Sequence, residues 1–532
     1  VSKPKSLDPE IVIQMFNRAK TDRSLFENLW QHIADVTIPR KNDIQNQQLM
    51  GNRKYDGLYD STAMTSCELL AGALHSMLTS PTNYFFGLTT GDVEQDTKDD
   101  VRLWIQTVVR KMHDRINNSN FQTEIHEYYL DLVAFGNGAI FCEEDEKEVI
   151  RFSSRPLKEI SVQENFQGRI DTIFREFTLD ARGLVEEFGE DGLPDDVKRE
   201  YHEVQKSTRY DVVHAIYPAR DEKPGIHRFV SHYILKKDKL ELSIKGFRDF
   251  PAIFGRWTKV TGESYGRGCG EKALPEALTV NEMTRITIIG AQKVIDPPMQ
   301  APDDGFVLPL ITRPGGINYY RAGSQDRITP IFNDSRIDFG AQVIEAKATK
   351  IREAFYVDQL KLREGPQMTA TEVSERSEQA LRFLSPMLGR QQSELLVPLV
   401  ERVYAIMDRK NEFPPVPESI KDKPLQIRFS SVVAMAQKFS EMTSISRTFS
   451  ALAPLAAIDP GVNDNVDTDS AFKLIARLQN FPQEMVRKVQ DRDQIRKGRQ
   501  QAQQQAQQQA QEAQQVDNTA KTMTGAAKLS AV

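Results

Sequence analysis

Apolar residues recur every three, four or seven positions along most of the chain, and every second position in one middle stretch. The longest helical pattern runs from Ser335 to Lys410. Ile337, Ile344, Ile351, Phe355 and Leu362 make one stripe, with Glu345, Lys347, Lys350, Arg352 and Glu353 filling much of the rest; that spacing predicts an amphipathic helix. Gly365-Pro366 ends it, because proline lacks an amide donor and disfavours helix in the residue before it. Thr369-Ala370-Thr371-Glu372 fits a capping box for a second helix. Val373, Leu381, Leu388, Leu395, Leu399, Val403 and Met407 carry it to Lys410, and Pro386, Gly389 and Pro398 lie inside it, so kinks are expected. At 1.5 Å per residue the two helices span roughly 40 Å and roughly 60 Å, longer than a compact enzyme domain needs.

Upstream, residues 8–38 give one or two amphipathic helices ending at Pro39. Ser61–Leu78 gives another, with a face of small residues (Ala63, Cys67, Ala71, Gly72). Tyr84–Leu88 reads as a short buried strand, and helices follow over Asp99–Asn117 and Phe121–Phe135, the second stopped by Gly136-Asn137-Gly138. The period then changes to two. Strands are predicted at 139–142, 149–152, 170–177, 212–217, 229–234 and 252–257, with a short helix at 179–188. Residues 139–260 are thus an antiparallel-leaning α+β region. A helix over Glu271–Ile295 stops at Asp296-Pro297-Pro298, and residues 297–334 are dense in Pro and Gly with brief strand-like pieces. Past Pro414-Pro415-Val416-Pro417 come one strand at Leu425–Phe429, helical pieces over about 434–496, and a Gln/Ala tail from Gln500 that composition leaves as either disordered or a solvated helix. The fold class is α+β, predominantly α.

Composition narrows the function. The chain has 532 residues, 39% of them hydrophobic, and a net charge of -6. No apolar run approaches the roughly 20 residues of a membrane span, and Val1–Ser6 leads into an amphipathic helix rather than a signal-peptide pattern. Cys67, Cys142 and Cys269 lie far apart, which suits neither a disulfide framework nor a zinc knuckle and points to a reducing compartment. A protein that grips DNA tightly is usually basic, because neutralised phosphates supply the affinity. This chain either avoids nucleic acid or handles it without gripping.

Candidate chemistry is sparse. Gly262-Glu263-Ser264-Tyr265-Gly266 matches the G-x-S-x-G elbow and sits between a strand and a helix. All eight histidines precede Ser264, however, whereas in that fold the base follows the serine; a turn that needs glycine is the simpler reading. Gly266, Gly268 and Gly270 could cradle an anion at a helix start, but no G-x-x-x-x-G-K-[ST] occurs. His126-Glu127 lacks the second histidine of a zincin, and Glu143–Glu146 reads as a solvated acidic hairpin tip. No metal or cofactor is therefore assigned. Trp30 and Trp104 read as core. Lys361, Arg363 and Glu364 form a charged connection between the long helices, an ordinary solvated loop unless it is repeated around an axis.

The order of these elements, carried by Gly262–Gly268 and by Thr369–Val373 through Leu395–Val400, resembles the portal protein, or head-to-tail connector, of short-tailed bacteriophages over roughly residues 10–430. The resemblance implies a homo-oligomeric ring, usually dodecameric, at one capsid vertex of the virion, assembled in the host cytoplasm and without enzymatic activity. It implies a wing (1–270 and 370–430), a stem (271–295 and 336–360), a β-rich clip (296–335) meeting the terminase large subunit and later a tail adaptor, and a helical crown (431–498); the tail 499–532 has no counterpart. It places residues 361–369 as a tunnel loop, with Lys361, Arg363, Glu364 and Gln367 nearest double-stranded DNA, and Gly262, Ser264, Tyr265, Gly266, Arg267 and Gly268 as the turn ahead of the stem. Major capsid and scaffolding proteins are implied partners; a membrane is not. A serine hydrolase on Ser264 and a cytosolic helical scaffold stand as the alternatives.

Overall fold

A computed structural model describes residues 6–295 except 47–50, 97, 146, 203–207 and 220–226. It also describes 298–300, 329–330, 337–360, 386–421, 425–429 and helical pieces between 445 and 508. Most of the expected clip, the tunnel loop with Lys361, Arg363, Glu364 and Gln367, and much of the expected crown lie outside the described residues. The chain divides into two units, one of Val1–Phe86, Arg110–Phe413 and Ile427–Val433, the other of Gly87–Val109, Pro414–Gln426 and Ala434–Val532.

The helices ahead of the sheets are α1 (Pro9–Thr37), α2 (Thr62–Leu78), α3 (Asp99–Asn118) and α4 (Phe121–Phe135). Asp8 caps α1 by accepting from the Glu10 amide at 2.9 Å. Gly136 ends α4 with φ 81°, the left-handed residue that closes a helix. In α2 the buried face holds Ala63, Cys67 and Ala71 but also Leu70 and Leu74. Gly72, expected on that face, is exposed, with open space where a Cβ would stand.

Eight strands follow: β1 (Asn137–Asp145), β2 (Val149–Ser154), β3 (Ile160–Glu164), β4 (Ile170–Leu179), β5 (Tyr210–Pro218), β6 (Phe229–Leu235), β7 (Leu240–Phe247) and β8 (Ala252–Arg256). They form two antiparallel sheets, ordered β2-β1-β8 and β3-β4-β5-β6-β7. Alternation explains the layers. Val213, Ala215 and Tyr217 pack with Phe174 on Val12, Phe16 and Ala19 of α1. Val212 and Leu235 point the other way, onto α5 (Ala181–Phe188) and α6 (Asp195–His202). Strands β3 and β7 and helix α6 were not expected. Only Ile160 and Val162 of β3 are buried apolar side chains, and no apolar side chain of β7 is, so the alternation is faint.

Helix α7 (Cys269–Ile295) leads out of the sheets, and α8 (Ile337–Ala354) lies antiparallel beside it, with Lys347 on Glu276 at 3.5 Å. Between them Met299–Gln300 pairs with Thr329–Pro330, so the insert leaves and rejoins at one place. The sequence predicts one helix through Leu362; instead it breaks at Tyr356, whose φ is 58°, and restarts as α9 (Val357–Leu360). Phe355 and Val357 are buried on either side of the break, so burial of both offsets the strained backbone between them. The kink expected near Pro398 is a π-turn over Gln392–Leu396, closed by the Val397 amide on the Gln392 carbonyl, ahead of α10 (Val397–Arg409). Widening the helix there relieves the clash of a proline ring with the carbonyl four residues back.

In the second unit, Trp104 donates to the Pro414 carbonyl at 3.0 Å. Helix α11 (Thr468–Leu478) is tied through Asp469 to Arg492 and Arg496 at 3.0 and 2.6 Å. Residues 491–506 are helical and mostly exposed, the solvated form of the Gln/Ala segment. Among the described residues no helix is long and apolar enough to cross a membrane.

Candidate functional site: the turn ahead of α7

The chain passes from β8 to α7 through a small hairpin in which Thr258 faces Arg267 and Lys259 faces Gly266. Its tip is a turn closed by the Glu263 amide on the Val260 carbonyl at 3.2 Å, with Gly262 at φ 91° in the third position, where only glycine is unstrained. The returning limb then lies against the end of α4. A Cβ on Gly268 would sit 2.5 Å from the Gly136 nitrogen and 2.8 Å from the Ala134 carbonyl oxygen. Asn137 seals the contact: its Oδ1 accepts from the Gly266 amide at 2.7 Å, and its Nδ2 donates to the Gly266 and Phe135 carbonyls at 3.0 and 3.1 Å. The glycine cluster thus lets backbone meet backbone. Gly268→Ala is expected to destabilise by about 2–3 kcal/mol, the cost of forcing a methyl into filled space, seen as a lowered thermal midpoint; an unchanged midpoint would show that the contact yields freely.

Tyr265 and Arg267 fasten the turn on two sides. Tyr265 is fully buried between Phe26, Trp30 and Phe254, with ring centroids at 5.3, 5.4 and 6.1 Å. Its hydroxyl accepts from the Val162 amide at 3.2 Å, and burial pushes its pKa well above the usual phenol range. Arg267 spans Glu263 and Glu271 at 2.6 and 2.5 Å and lies over the Phe26 ring. The hydrogen bonds it donates to Glu263, followed by that to Glu271, hold its pKa above the ordinary arginine value.

Behind the turn sits Arg256, 3% exposed at the end of β8. Its Nη2 reaches Glu394 at 2.8 Å and the Gly168 carbonyl at 3.2 Å, and its Nη1 reaches Glu164 and the Ser264 carbonyl. Its backbone amide donates to Glu394 at 2.9 Å, while Gln391 donates to its carbonyl at 2.7 Å and accepts from Tyr128 Oη at 3.1 Å. Burial works against this charge, but the Glu394 and Glu164 carboxylates outweigh it and raise the pKa. One guanidinium therefore joins the π-turn of the long helix, the β3–β4 hairpin and the turn ahead of α7. Sequence reasoning missed Arg256, Glu164, Glu394 and Asn137. The one available signal was a charged residue closing the apolar run Ala252-Ile253-Phe254-Gly255.

Among the described residues no activated nucleophile emerges. Ser264 is half-buried, and among the described residues no histidine bonds to it: His214 bonds to Ser231 Oγ at 2.9 Å, and His75 to Gln122 at 2.6 Å. Burial pushes the Cys269 and Cys142 thiols up to about 12, which suppresses thiolate chemistry. Glu127 serves an ion network instead, on Arg40 and Lys41 at 2.9 and 3.0 Å. Among the described residues no group of His, Cys, Asp or Glu is placed to hold a metal ion. What the site does is hold backbone segments at fixed separations.

A family model described as bacteriophage head to tail connecting protein matches residues 10–486, and the chain belongs to that family. Its relatives are named more narrowly. The portal protein of Salmonella phage epsilon15 is 30% identical over 511 residues, covering 91% of each chain. The probable portal protein of Bordetella phage BPP-1 is 29% identical over 496 residues, 90% of this chain and 88% of that one. The function is that of a phage portal at the head–tail connection, and nothing supports the serine-hydrolase alternative.

Proposed function

We propose that copies of this chain stand side by side as a ring, a dodecamer at one capsid vertex, through which double-stranded DNA enters during packaging, is retained, and leaves at infection. The observation that carries this reading is the outer face of α7. Ala273, Ala277 and Val280 are buried on its inner side, and Glu276 pairs with α8. Leu278, Ile286 and Ile289, spaced by eight and three, project from the opposite side and are exposed, Ile286 by 55%. An apolar row along a helix that already has an inner partner suits a neighbouring copy. Helices α7 and α8, repeated around an axis, would make the stem; residues 296–335 would be the clip that meets the terminase large subunit and a tail adaptor. Residues 1–270 and 370–430 would be the wing, and 431–498 the crown facing the capsid, scaffolding proteins and packaged DNA. The subunit does no chemistry; the motor that drives DNA through it is a separate protein. End-on negative-stain images of the purified chain, with a mass measurement, test the proposal: rings are expected, and a dominant monomer or dimer returns the scaffold reading.

A conduit must not hold DNA fast, since each fixed phosphate contact multiplies affinity. A chain of net charge -6, with Lys361 and Arg363 on the connection between long helices and Glu364 and Gln367 beside them, suits brief contacts. Lys361→Ala with Arg363→Ala is expected to leave rings intact and to impair packaging or retention severalfold. Unaltered packaging, retention and ejection would remove this loop from the DNA path.

A further inference from the structure

At the tip of the β3–β4 hairpin Phe166 is 96% exposed. A lone exposed apolar side chain is ordinary; one on a rigid pedestal is less so. Asn165 Oδ1 accepts from the Gln167 and Arg169 amides at 2.9 and 3.1 Å, the Gly168 amide donates to the Asn165 carbonyl at 2.9 Å, and Arg256 holds the Gly168 carbonyl from behind. Ordering this tip on binding costs little, because it is already ordered. Arg169 beside it is exposed; it makes no ion pair among the described residues, although its charge acts on Glu401.

The same sheet carries a cavity of about 680 Å³ at the other end of β4, walled by Phe141, Phe177, Phe188 and Phe247 and by His214 stacked on Tyr233 at 3.9 Å. Among its acidic residues, Glu144 is paired with Arg409 and Glu186 with Arg182, at 2.5 and 2.7 Å. Glu143 and Glu187 have no ion pair among the described residues. Of its cations, Arg175 is held by Glu159 at 2.9 Å and lies on the Phe177 ring at 4.1 Å; Arg155 and Lys245 have no ion pair among the described residues. From Ile170, where β4 leaves the tip, to Phe177 in the cavity wall is about 23 Å at roughly 3.3 Å per residue, far beyond the reach of a phenylalanine. A copy cannot fill its own cavity with its own tip.

We propose that the Phe166 tip of one copy docks into this cavity of the next copy around the ring, the phenyl ring among the aromatic walls and Arg169 on Glu143 and Glu187. A ring closes through heterologous contacts, in which one part of a subunit meets a different part of its neighbour; a projecting aromatic on one end of a sheet and an aromatic-walled hollow on the other meet that requirement. Glu143 and Glu187, without an ion pair among the described residues, match Arg169; the Arg155 guanidinium, on which the Glu143 charge already acts, can face the incoming ring. Through Arg256 the tip is joined to Glu394, so the contact between copies is wired to the long helix of the copy that donates the tip.

The inference rests on the ring reading, and one experiment separates the two. The full chain carrying a photo-crosslinking phenylalanine analogue at position 166 is imaged, irradiated in an equal mixture with isotope-labelled chain, and digested. Rings with mixed-isotope crosslinks onto peptides containing Phe177, Phe188, Tyr233 or Phe247 are the expected result. Rings whose probe labels its own chain, another surface, or nothing overturn the docking and leave the ring reading standing. A chain that forms no rings overturns the ring reading, and the docking with it. Phe166→Ala, at an exposed position, is expected to raise the subunit concentration for half-assembly about tenfold without moving the thermal midpoint. Arg169→Glu is expected to do likewise, and Glu143→Lys with Glu187→Lys to restore assembly to it. Failure of that charge swap overturns the docking, and displacement of a probe crosslink by inorganic phosphate overturns it by assigning the cavity to an anion.

Discussion

Arg256→Met is expected to lower stability by about 3 kcal/mol, the low end of what breaking a buried ion pair costs. Which partner is stranded decides the figure. Glu164 keeps Lys259 at 2.5 Å, so its charge remains answered. Glu394, 17% exposed, keeps the backbone amide of residue 256 at 2.9 Å, but its remaining cation among the described residues is Arg390, a half-buried neighbour one helical turn back at 3.2 Å. The Gly168 and Ser264 carbonyls lose a donor as well. The π-turn, the hairpin tip and the turn ahead of α7 should loosen together, so thermal unfolding should begin earlier and amide exchange should quicken in all three. Arg256→Met combined with Glu394→Gln should recover most of the loss, because an uncharged amide is far cheaper to bury than a carboxylate. A single Arg256→Met variant with wild-type unfolding and exchange would mean that the three segments are held independently.

That network shows where sequence reading stops. Helices and strands with a strong period were legible: α4 starts at Phe121 and ends at Phe135 as expected, because Gly136-Asn137-Gly138 is a local stop signal. Strands β3 and β7 were not, since few of their side chains are fully buried. The break at Tyr356 lay inside an unbroken apolar stripe, and the burial of Phe355 and Val357 on either side of it accounts for it. At the site, the glycine-rich turn was visible as a motif and was read as a structural turn. Its reason was only partly visible. Gly262 needs a positive φ, which a turn pattern suggests; Gly268 needs an absent side chain because α4, more than a hundred residues earlier, returns beside it. Arg256, Glu164 and Glu394 are separated by 92 and 138 positions, and no local pattern pairs them. Only the order of elements as a whole, read as a resemblance to portal proteins, carried information at that range.

Ile286→Glu with Ile289→Glu is expected to abolish rings while leaving the folded monomer intact. The outer parts of both side chains are exposed in the single chain, 55% of Ile286 and 36% of Ile289, so the substitutions remove little intramolecular packing, and the thermal midpoint of the monomer should fall only slightly. In a ring each stem would bury that face against a neighbour. Fully burying an isoleucine is worth about 1.5–3 kcal/mol; the two side chains, 55% and 36% exposed, have about one isoleucine's surface left to bury, so losing it weakens every subunit contact about ten- to a hundredfold, before the cost of desolvating two carboxylates is added. Glu282 and Arg285, which pair at 2.6 Å on the same stretch of helix, supply the control. Glu282→Gln with Arg285→Gln removes two charges that solvent already screens, and an exposed pair of this kind contributes little; rings should survive. The comparison is made by sedimentation and end-on imaging at matched concentrations. If the isoleucine variant still forms rings at wild-type yield, the row on α7 faces solvent in the assembly, and subunits meet through their sheets rather than their stems.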